Sequence, residues 1–209
     1  MRTPVTRKTL SDHWTYNWWK YLLVLIAATI GWNLIFTMTE YRSPADKTIT
    51  IYTNRVDDST KPLAALLEDI VSRVAPDNET TSIASITNDS TYRSMQISTY
   101  IGTGMGGFYL LDGDDFQQYA AGGAFVPLED EEEITAALEE TGLDADKGRR
   151  TDSDTYERHL FGIPVSSLTG LKDCGVNTDN AYIAVVAGQA NQENLIKVLA
   201  QLIRETAQR

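Results

Sequence analysis

The chain has 209 residues, one cysteine and a formal net charge of −11, with 42% hydrophobic and 22% charged residues. This composition is typical of a globular protein, and the acidic balance disfavours nucleic acid, whose phosphates require Lys and Arg. A single cysteine excludes an internal disulfide and a thiolate metal cluster. Residues 1–39 have a net charge of +3, which leaves −14 on the rest of the chain.

Residues 21–38 form an uncharged apolar segment, YLLVLIAATIGWNLIFTM. As a helix this segment is about 27 Å long, close to the thickness of one hydrocarbon core. Trp14, Trp18 and Trp19 precede it, and such aromatic side chains favour the membrane interface. No small-x-small cleavage site follows it, so we expect an uncleaved anchor rather than a signal peptide.

The charges on either side of this segment predict its orientation. Basic residues precede it and acidic residues follow it, so the positive-inside rule places the N-terminus in the cytoplasm. We expect a protein of the cell membrane that crosses it once, with its C-terminal domain extracellular. Gly31 and Asn33 are candidates for a helix–helix contact inside the bilayer. The four expected parts are a basic cytoplasmic tail at 1–20, a transmembrane helix at 21–38, a spacer at 39–47 and a folded domain at 48–209.

The first half of the outer domain alternates strand-like and helix-like segments. Residues 48–53 (TITIYT) alternate as a strand does. A helix with Pro62 in its first turn then carries an apolar stripe and ends at Pro76. Further strands are predicted at 82–87 and 107–111, and further helices at 91–101 and 115–121.

The second half continues this alternation after an acidic helix. That helix is predicted at residues 129–141, closed by Gly142, and a polar irregular segment follows at 144–156. Strands are predicted at 160–165 and 182–187, before a terminal helix with an apolar stripe. The pattern indicates an α/β fold, with a three-layer, mostly parallel sheet covered by helices on both faces.

Polar side chains follow several of the predicted strands. In an open parallel sheet a ligand lies beyond the carboxyl ends of the strands, so these side chains are candidate ligand-binding residues. Such a polar rim suits a hydroxyl-rich or cationic ligand, although helix caps and turns use the same residue types. The candidates are Asn54, Arg55, Asp57, Asp58, Asn88, Asp89, Ser90, Asp112, Asp114, Ser166 and Ser167.

Other motifs point to no cofactor, metal or catalytic site. Residues 102–107 (GTGMGG) precede a strand and lack the Lys-Ser/Thr of a phosphate-binding loop, so we expect a turn. The carboxylates between Asp144 and Asp154 lack the spacing of a calcium-binding loop. His159 is the one histidine after the apolar segment, and no Ser-His-Asp triad can be assembled around it. We therefore expect a protein that is not an enzyme.

Three segments carry a resemblance to a known family. Residues 107–130 (GFYLLDGDDFQQYAAGGAFVPLED), 161–165 (FGIPV) and 182–203 resemble the extracellular solute-binding proteins of bacterial ABC importers. The resemblance covers residues 48–130 and 158–205, and it implies one α/β lobe of the type II periplasmic-binding-protein kind. Members of that family close two lobes on a ligand, whereas residues 40–209 have room for roughly one.

This resemblance leaves three functional hypotheses open. The leading one is a non-enzymatic, membrane-anchored module that contacts another membrane protein or senses a solute weakly, because one lobe lacks the closing surface that buries a ligand. The alternative is the substrate-binding component of an ABC importer for a sugar or other small polar solute, completed by a partner or by self-association. An ABC permease would then be its partner. The third hypothesis is an extracellular hydrolase that uses the acidic rim.

Overall fold

The computed structural model describes residues 7–39, 41, 43–56 and 60–207. The chain divides into two compact units, Met1–Arg42 and Ser43–Arg209. The first unit contains one long helix, α1 (Arg7–Thr39), which begins upstream of the predicted segment 21–38. Its stretch Trp14–Thr39 has a mean hydropathy of 1.9 and is not buried within the protein. The helix is therefore long and apolar enough to cross a membrane.

The second unit is built on a five-stranded, mostly parallel sheet. The strands in chain order are β1 (Thr48–Thr53), β2 (Thr80–Ser85), β3 (Phe108–Asp112), β4 (Arg149–Thr151), β5 (Arg158–Leu160), β6 (Ile163–Pro164) and β7 (Ala181–Val185). The order across the main sheet is β2-β1-β3-β7-β6, and β4 and β5 form a separate antiparallel pair. Strand β1 pairs in parallel with both β2 and β3. The predicted mixed α/β fold with a mostly parallel sheet is confirmed.

Strand β7 runs against the direction of its neighbours. It pairs antiparallel with β3 on one side and with β6 on the other. The connection from β6 to β7 contains a three-residue 3-10 turn, Val165–Ser167, and a four-residue helix, α6 (Gly170–Asp173). A parallel crossover normally needs a helix long enough to carry the chain back to the opposite end of the strands, and this connection has no helix of that length. Strand β7 therefore starts at the end of the sheet where β6 finishes.

Helices cover the sheet, and the buried side chains form two clusters. The longer helices of this unit are α2 (Lys61–Val74), α3 (Ser90–Gly102), α4 (Gly113–Ala121), α5 (Glu132–Thr141) and α7 (Gln192–Thr206). One cluster, here the aliphatic face, includes residues of α2, α5 and α7. The other, here the aromatic face, includes residues of α3 and α4. Alternate residues of β1 and β3 divide between the two clusters, so helices pack on both faces of the sheet.

The aliphatic face is packed mainly with Leu, Ile and Val. Leu67 of α2 and Leu199 of α7 are buried there against Ile49 and Ile51 of β1. Each such side chain contributes roughly 1.5–3 kcal/mol when it leaves water. The apolar stripes in the sequence predicted the burial of these helices, and the structure confirms it.

The aromatic face is packed through ring contacts. Phe116 and Tyr182 stack with their centroids 4.5 Å apart, and Tyr52 and Tyr109 stack at 4.8 Å. Burial raises the pKa of Tyr52 and the pKa of Tyr109 above the ordinary tyrosine value, because a buried phenolate loses its hydration. Rings that stack in this way fix relative orientation as well as buried area.

The segment from 144 to 165 differs from the prediction in two ways. Its polar part contains β4, which pairs with β5, and the predicted single strand at 160–165 is broken into β5 and β6. The break lies at Gly162, whose backbone carbonyl occupies the space where a side chain on Gly148 would stand. On β4, the Arg150 guanidinium carbon lies 5.1 Å from the ring centre of Phe116 and 5.2 Å from that of Tyr182.

Candidate functional site

The carboxyl edge of the sheet is the surface formed by the residues that directly follow β1, β2, β3 and β6. Nine of the eleven predicted candidates lie in the described part of the chain, whereas Asp57 and Asp58 lie outside the described residues. Because β7 is antiparallel, the residues that precede it, 177–180, reach this same edge. The prediction of the edge therefore missed a contribution from residues close to the C-terminal end of the α/β unit.

Arg55 joins the exit of β1 to the segment before β7. Its Nη2 donates to the backbone carbonyl of Asp179 and lies 3.4 Å from the Asn177 Oδ1 that it also contacts. The Asn177 backbone N–H donates to the Arg55 carbonyl at 2.7 Å, and Val56 forms a β-bridge with Val176. The guanidinium head is thus bound to the protein itself.

Two buried polar atoms near Arg55 are unpaired among the described residues. They are the Asn54 Oδ1 and the Arg55 Nε. A buried polar atom without a hydrogen bond costs about 1–3 kcal/mol. Both residues are only partly buried as wholes, so these atoms do not form an enclosed ligand site.

A second ion cluster lies between α3 and the start of α4. The Arg93 Nε is 2.7 Å from an Asp115 carboxylate oxygen, and the Arg93 Nη1 is 3.5 Å from Asp112. The shorter contact has the distance of an ion pair without the angle of a hydrogen bond, since both of its atoms lack a hydrogen-bond partner. Burial is the main cause that raises the pKa of Asp115, Asp112 adds to it, and Arg93 opposes it.

Two of the candidates, Asp89 and Asp112, are helix caps. Asp89 accepts from the backbone N–H of Thr91 at 2.9 Å and so caps α3, and Asp112 accepts from Asp115 N–H at 3.1 Å and caps α4. Helix capping, rather than ligand binding, accounts for both of these carboxylate contacts. Some candidates join no ion pair or side-chain hydrogen bond within the described residues, namely Asn88, Ser90, Asp114, Ser166 and Ser167.

The segment at residues 177–180 fills the middle of the carboxyl edge. It holds Arg55 on one side, while on the other the Asn180 side chain packs against Gly113, where an added Cβ would stand 2.5 Å from the Asn180 Oδ1. Asn180 itself has a φ of 47°, a conformation that Asn tolerates better than most residues. Among the described residues, the exits of β1 and β3 therefore meet around a packed segment.

A third charged cluster, which the sequence did not predict, surrounds His159. The His159 Nδ1 lies 3.1 Å from Glu129, whose other oxygen accepts from the Leu160 backbone N–H at 2.7 Å. The His159 Nε2 lies 3.5 Å from Glu157. Both ring nitrogens therefore face carboxylates, and neither faces a hydroxyl that an imidazole base would activate. The cluster fixes the β4–β5 pair to the residues before α5.

The acidic residues between 144 and 154 are also used locally. The Asp144 carboxylate accepts from the Asp146 backbone N–H, and Asp152 accepts from that of Asp154. In the described ranges no three His, Cys, Asp or Glu side chains converge as metal ligands would. Residues 102–107, which resemble a glycine-rich loop in composition, form the turn between α3 and β3.

The contacts at the carboxyl edge join parts of the protein to one another, and they leave no side-chain set arranged as a catalytic or metal centre in the described residues. Comparison of the chain with protein-family models, with curated protein sequences and with solved structures gives no match.

Proposed function

We propose that this chain is a membrane-anchored module whose outer domain acts by contact with another membrane protein, with weak solute sensing as its secondary capacity. The observation that carries this proposal is α1, an apolar helix that is unburied in its own protein and is followed along the chain by a compact α/β unit. Basic residues precede its apolar segment and an acidic domain follows it, which supports an extracellular position for that domain.

The fold of the segment that resembles solute-binding proteins supports the relationship to one lobe of that family. Residues 107–130 form strand β3, an acidic turn, the short helix α4 and an exit to Leu128–Asp130. This is the succession of elements that the resemblance implies. An importer component remains the alternative proposal, with a permease as its partner.

The state of the carboxyl edge favours protein contact over tight solute capture. Arg55 at this edge is held by the backbone carbonyl of Asp179, and Arg93 beside it is held by Asp112 and Asp115. A ligand would have to replace these internal contacts, and its affinity would fall by what they contribute. The exposed side chains of the edge remain open to a partner surface.

Labelling of an introduced cysteine tests the anchoring and its direction. Tyr156 is 83% exposed in a turn of the outer domain, so Tyr156→Cys in a Cys174→Ala background provides one accessible thiol. We expect a membrane-impermeant maleimide to label it on intact cells. Thr9→Cys in the same background is the matched control and should react only after lysis. Reaction of Thr9→Cys in intact cells, with protection of Tyr156→Cys, would overturn the orientation.

A solute screen on the full chain in detergent tests the contact hypothesis. Sugars, oligopeptides and polyamines should each leave the thermal unfolding of the outer domain unchanged at micromolar concentration. A ligand at 100 times its dissociation constant would stabilise the folded state by about 2.7 kcal/mol. A clear rise in Tm at micromolar solute would therefore replace this proposal with the importer alternative.

A further inference from the structure

A stripe of polar side chains runs along the apolar part of α1. Thr29, Asn33 and Thr37 recur every fourth residue and therefore lie on one side of the helix. They line a shallow groove together with the larger side chains of Ile30, Leu34 and Met38. We call this surface the Asn33 stripe. Gly31 lies roughly 200° around the helix from Asn33 and does not share it.

The hydrogen bonds of the stripe leave Asn33 incompletely satisfied. The Thr29 hydroxyl donates to the Leu25 carbonyl at 2.9 Å, and the Thr37 hydroxyl donates to the Asn33 carbonyl at 2.8 Å. Both threonine hydroxyls therefore donate their hydrogen bonds within their own helix. The Asn33 carboxamide donates one N–H to the Thr29 carbonyl at 3.1 Å. Its Oδ1 and its second N–H have no partner in the described part of the chain.

Inside a bilayer, the unpaired Oδ1 and N–H of Asn33 raise the free energy of the single helix. Asn33 lies about 9 Å along the helix from Thr39, well inside the apolar stretch. Lys and Arg reach water from such a depth through their long stems, whereas the short Asn side chain does not. An unpaired polar group in hydrocarbon has no water to replace its partner, so a second polar helix face stabilises it.

We propose that the Asn33 stripe binds the same stripe of a second copy of this chain, so that α1 forms a parallel homodimer in the membrane. A carboxamide carries both a donor and an acceptor. Two Asn33 side chains related by a two-fold axis therefore satisfy each other, the Oδ1 of each accepting from the Nδ2 of the other. The inference rests on the proposed anchoring of α1 in a bilayer.

The spacing of the neighbouring side chains fits such a pair. Ile26, Thr29, Asn33 and Phe36 follow one another at intervals of three and four residues, the repeat of a left-handed helix pair. The Asn33 carboxamide in that repeat fixes the register of the pair, because displacement of one helix leaves both carboxamides unpaired. The net charge of −14 beyond residue 39 opposes dimerisation, and salt screens that repulsion.

Energy transfer between full-length chains in phosphatidylcholine vesicles at high salt tests the proposal. Donor and acceptor are attached at Tyr156→Cys in the Cys174→Ala background. Wild-type α1 should give energy transfer that saturates at dimer stoichiometry, and Asn33→Leu should weaken association roughly tenfold. Asn33→Gln retains the carboxamide and should restore most of it. Thr37→Val removes a hydroxyl that is bonded within its own helix, so it should change association by less than about twofold.

Quenching of tryptophan by brominated lipid separates this inference from the anchoring itself. All four tryptophans of the chain lie in α1, so their emission reports insertion without a signal from the outer domain. Quenched tryptophans without energy transfer would overturn the dimer and leave the anchoring intact. Equal weakening by Asn33→Leu and Thr37→Val would overturn the role of Asn33. Unquenched tryptophans would overturn the anchoring and the dimer together.

Discussion

The two faces of the central sheet are packed with different chemistry. The aliphatic face joins Leu, Ile and Val from α2, α5 and α7, and Phe108 is its one buried aromatic residue in the described chain. The aromatic face holds a chain of ring contacts that includes Phe125, Phe116 and Tyr182. Aliphatic packing depends on volume, whereas ring stacking also depends on orientation. The two faces should therefore respond differently to the same substitution.

The largest expected difference comes from Phe→Leu on each face. Phe108 and Phe116 are both fully buried, and Phe108 has no ring contact in the described residues. Phe108→Leu keeps an apolar side chain of similar volume and should lower the free energy of unfolding by about 1 kcal/mol. Phe116→Leu also loses its stacking with Tyr182 and Phe125, so we expect a loss of about 2 kcal/mol.

Urea unfolding of the full chain in detergent, followed by far-UV circular dichroism, measures both values. The unfolding of the second unit supplies the transition, because a helix held in a micelle keeps its backbone hydrogen bonds. Equal losses for the two variants would show that ring orientation contributes nothing to the aromatic face.

A smaller effect should follow removal of the cation from the aromatic face. Arg150→Met keeps an unbranched stem but removes the guanidinium that lies over Phe116 and Tyr182. The expected loss is about 0.5–1 kcal/mol. Arg158→Met, on the paired strand, is the matched control, because Arg158 is largely exposed and its contact with Asp146 is 3.7 Å long. That control should cost less than about 0.5 kcal/mol. Indistinguishable urea midpoints for the two variants would exclude a cation–π contribution.

The smallest effect concerns the pH dependence of stability at the start of α4. The folded-state pKa of Asp115 lies above its ordinary value of 3.8, so the folded protein binds the proton before the unfolded chain does as the pH falls. As the pH falls from this raised pKa to 3.8, the wild type should therefore gain stability relative to Asp115→Asn. The gain is lost again as the pH rises toward 7.

Urea midpoints of the two proteins at pH 7, 5 and 4 test this difference. Gln117→Ala, an exposed and neutral position of the same helix, provides the control and should follow the wild type at each pH. Parallel pH profiles for the wild type and Asp115→Asn would contradict the raised pKa.

The sequence predicted the aliphatic face better than the aromatic face. Helices α2 and α7 carry apolar residues at helical spacing, and their burial follows from that pattern alone. The hairpin of β4 and β5 was missed because its residues are polar and its pairing depends on distant contacts, such as Glu129 with Leu160. Short strands with one exposed side carry little periodicity.

The sequence predicted several of the residues that lie at the carboxyl edge, but not the contacts that join them to the rest of the protein. Asp89 and Asp112 follow strands, as expected, and residue type alone did not decide between capping and ligand binding. Arg93 was missed because it stands inside a helix, far in sequence from Asp115. Asn177 and Asp179 were missed because the antiparallel direction of β7 cannot be read from its apolar sequence.

The position of β7 also governs how the α/β unit is completed during synthesis. Leu110 of β3 pairs with Ile183, so one edge of the apolar strand β3 stays unpaired until β7 has been made. At ribosomal rates of 5–20 residues per second this interval lasts roughly 4–15 s. An unpaired apolar edge invites pairing with other chains. If α1 enters the membrane first, nascent chains carry that open edge while confined to its surface, and prompt closure by β7 protects the domain from aggregation there.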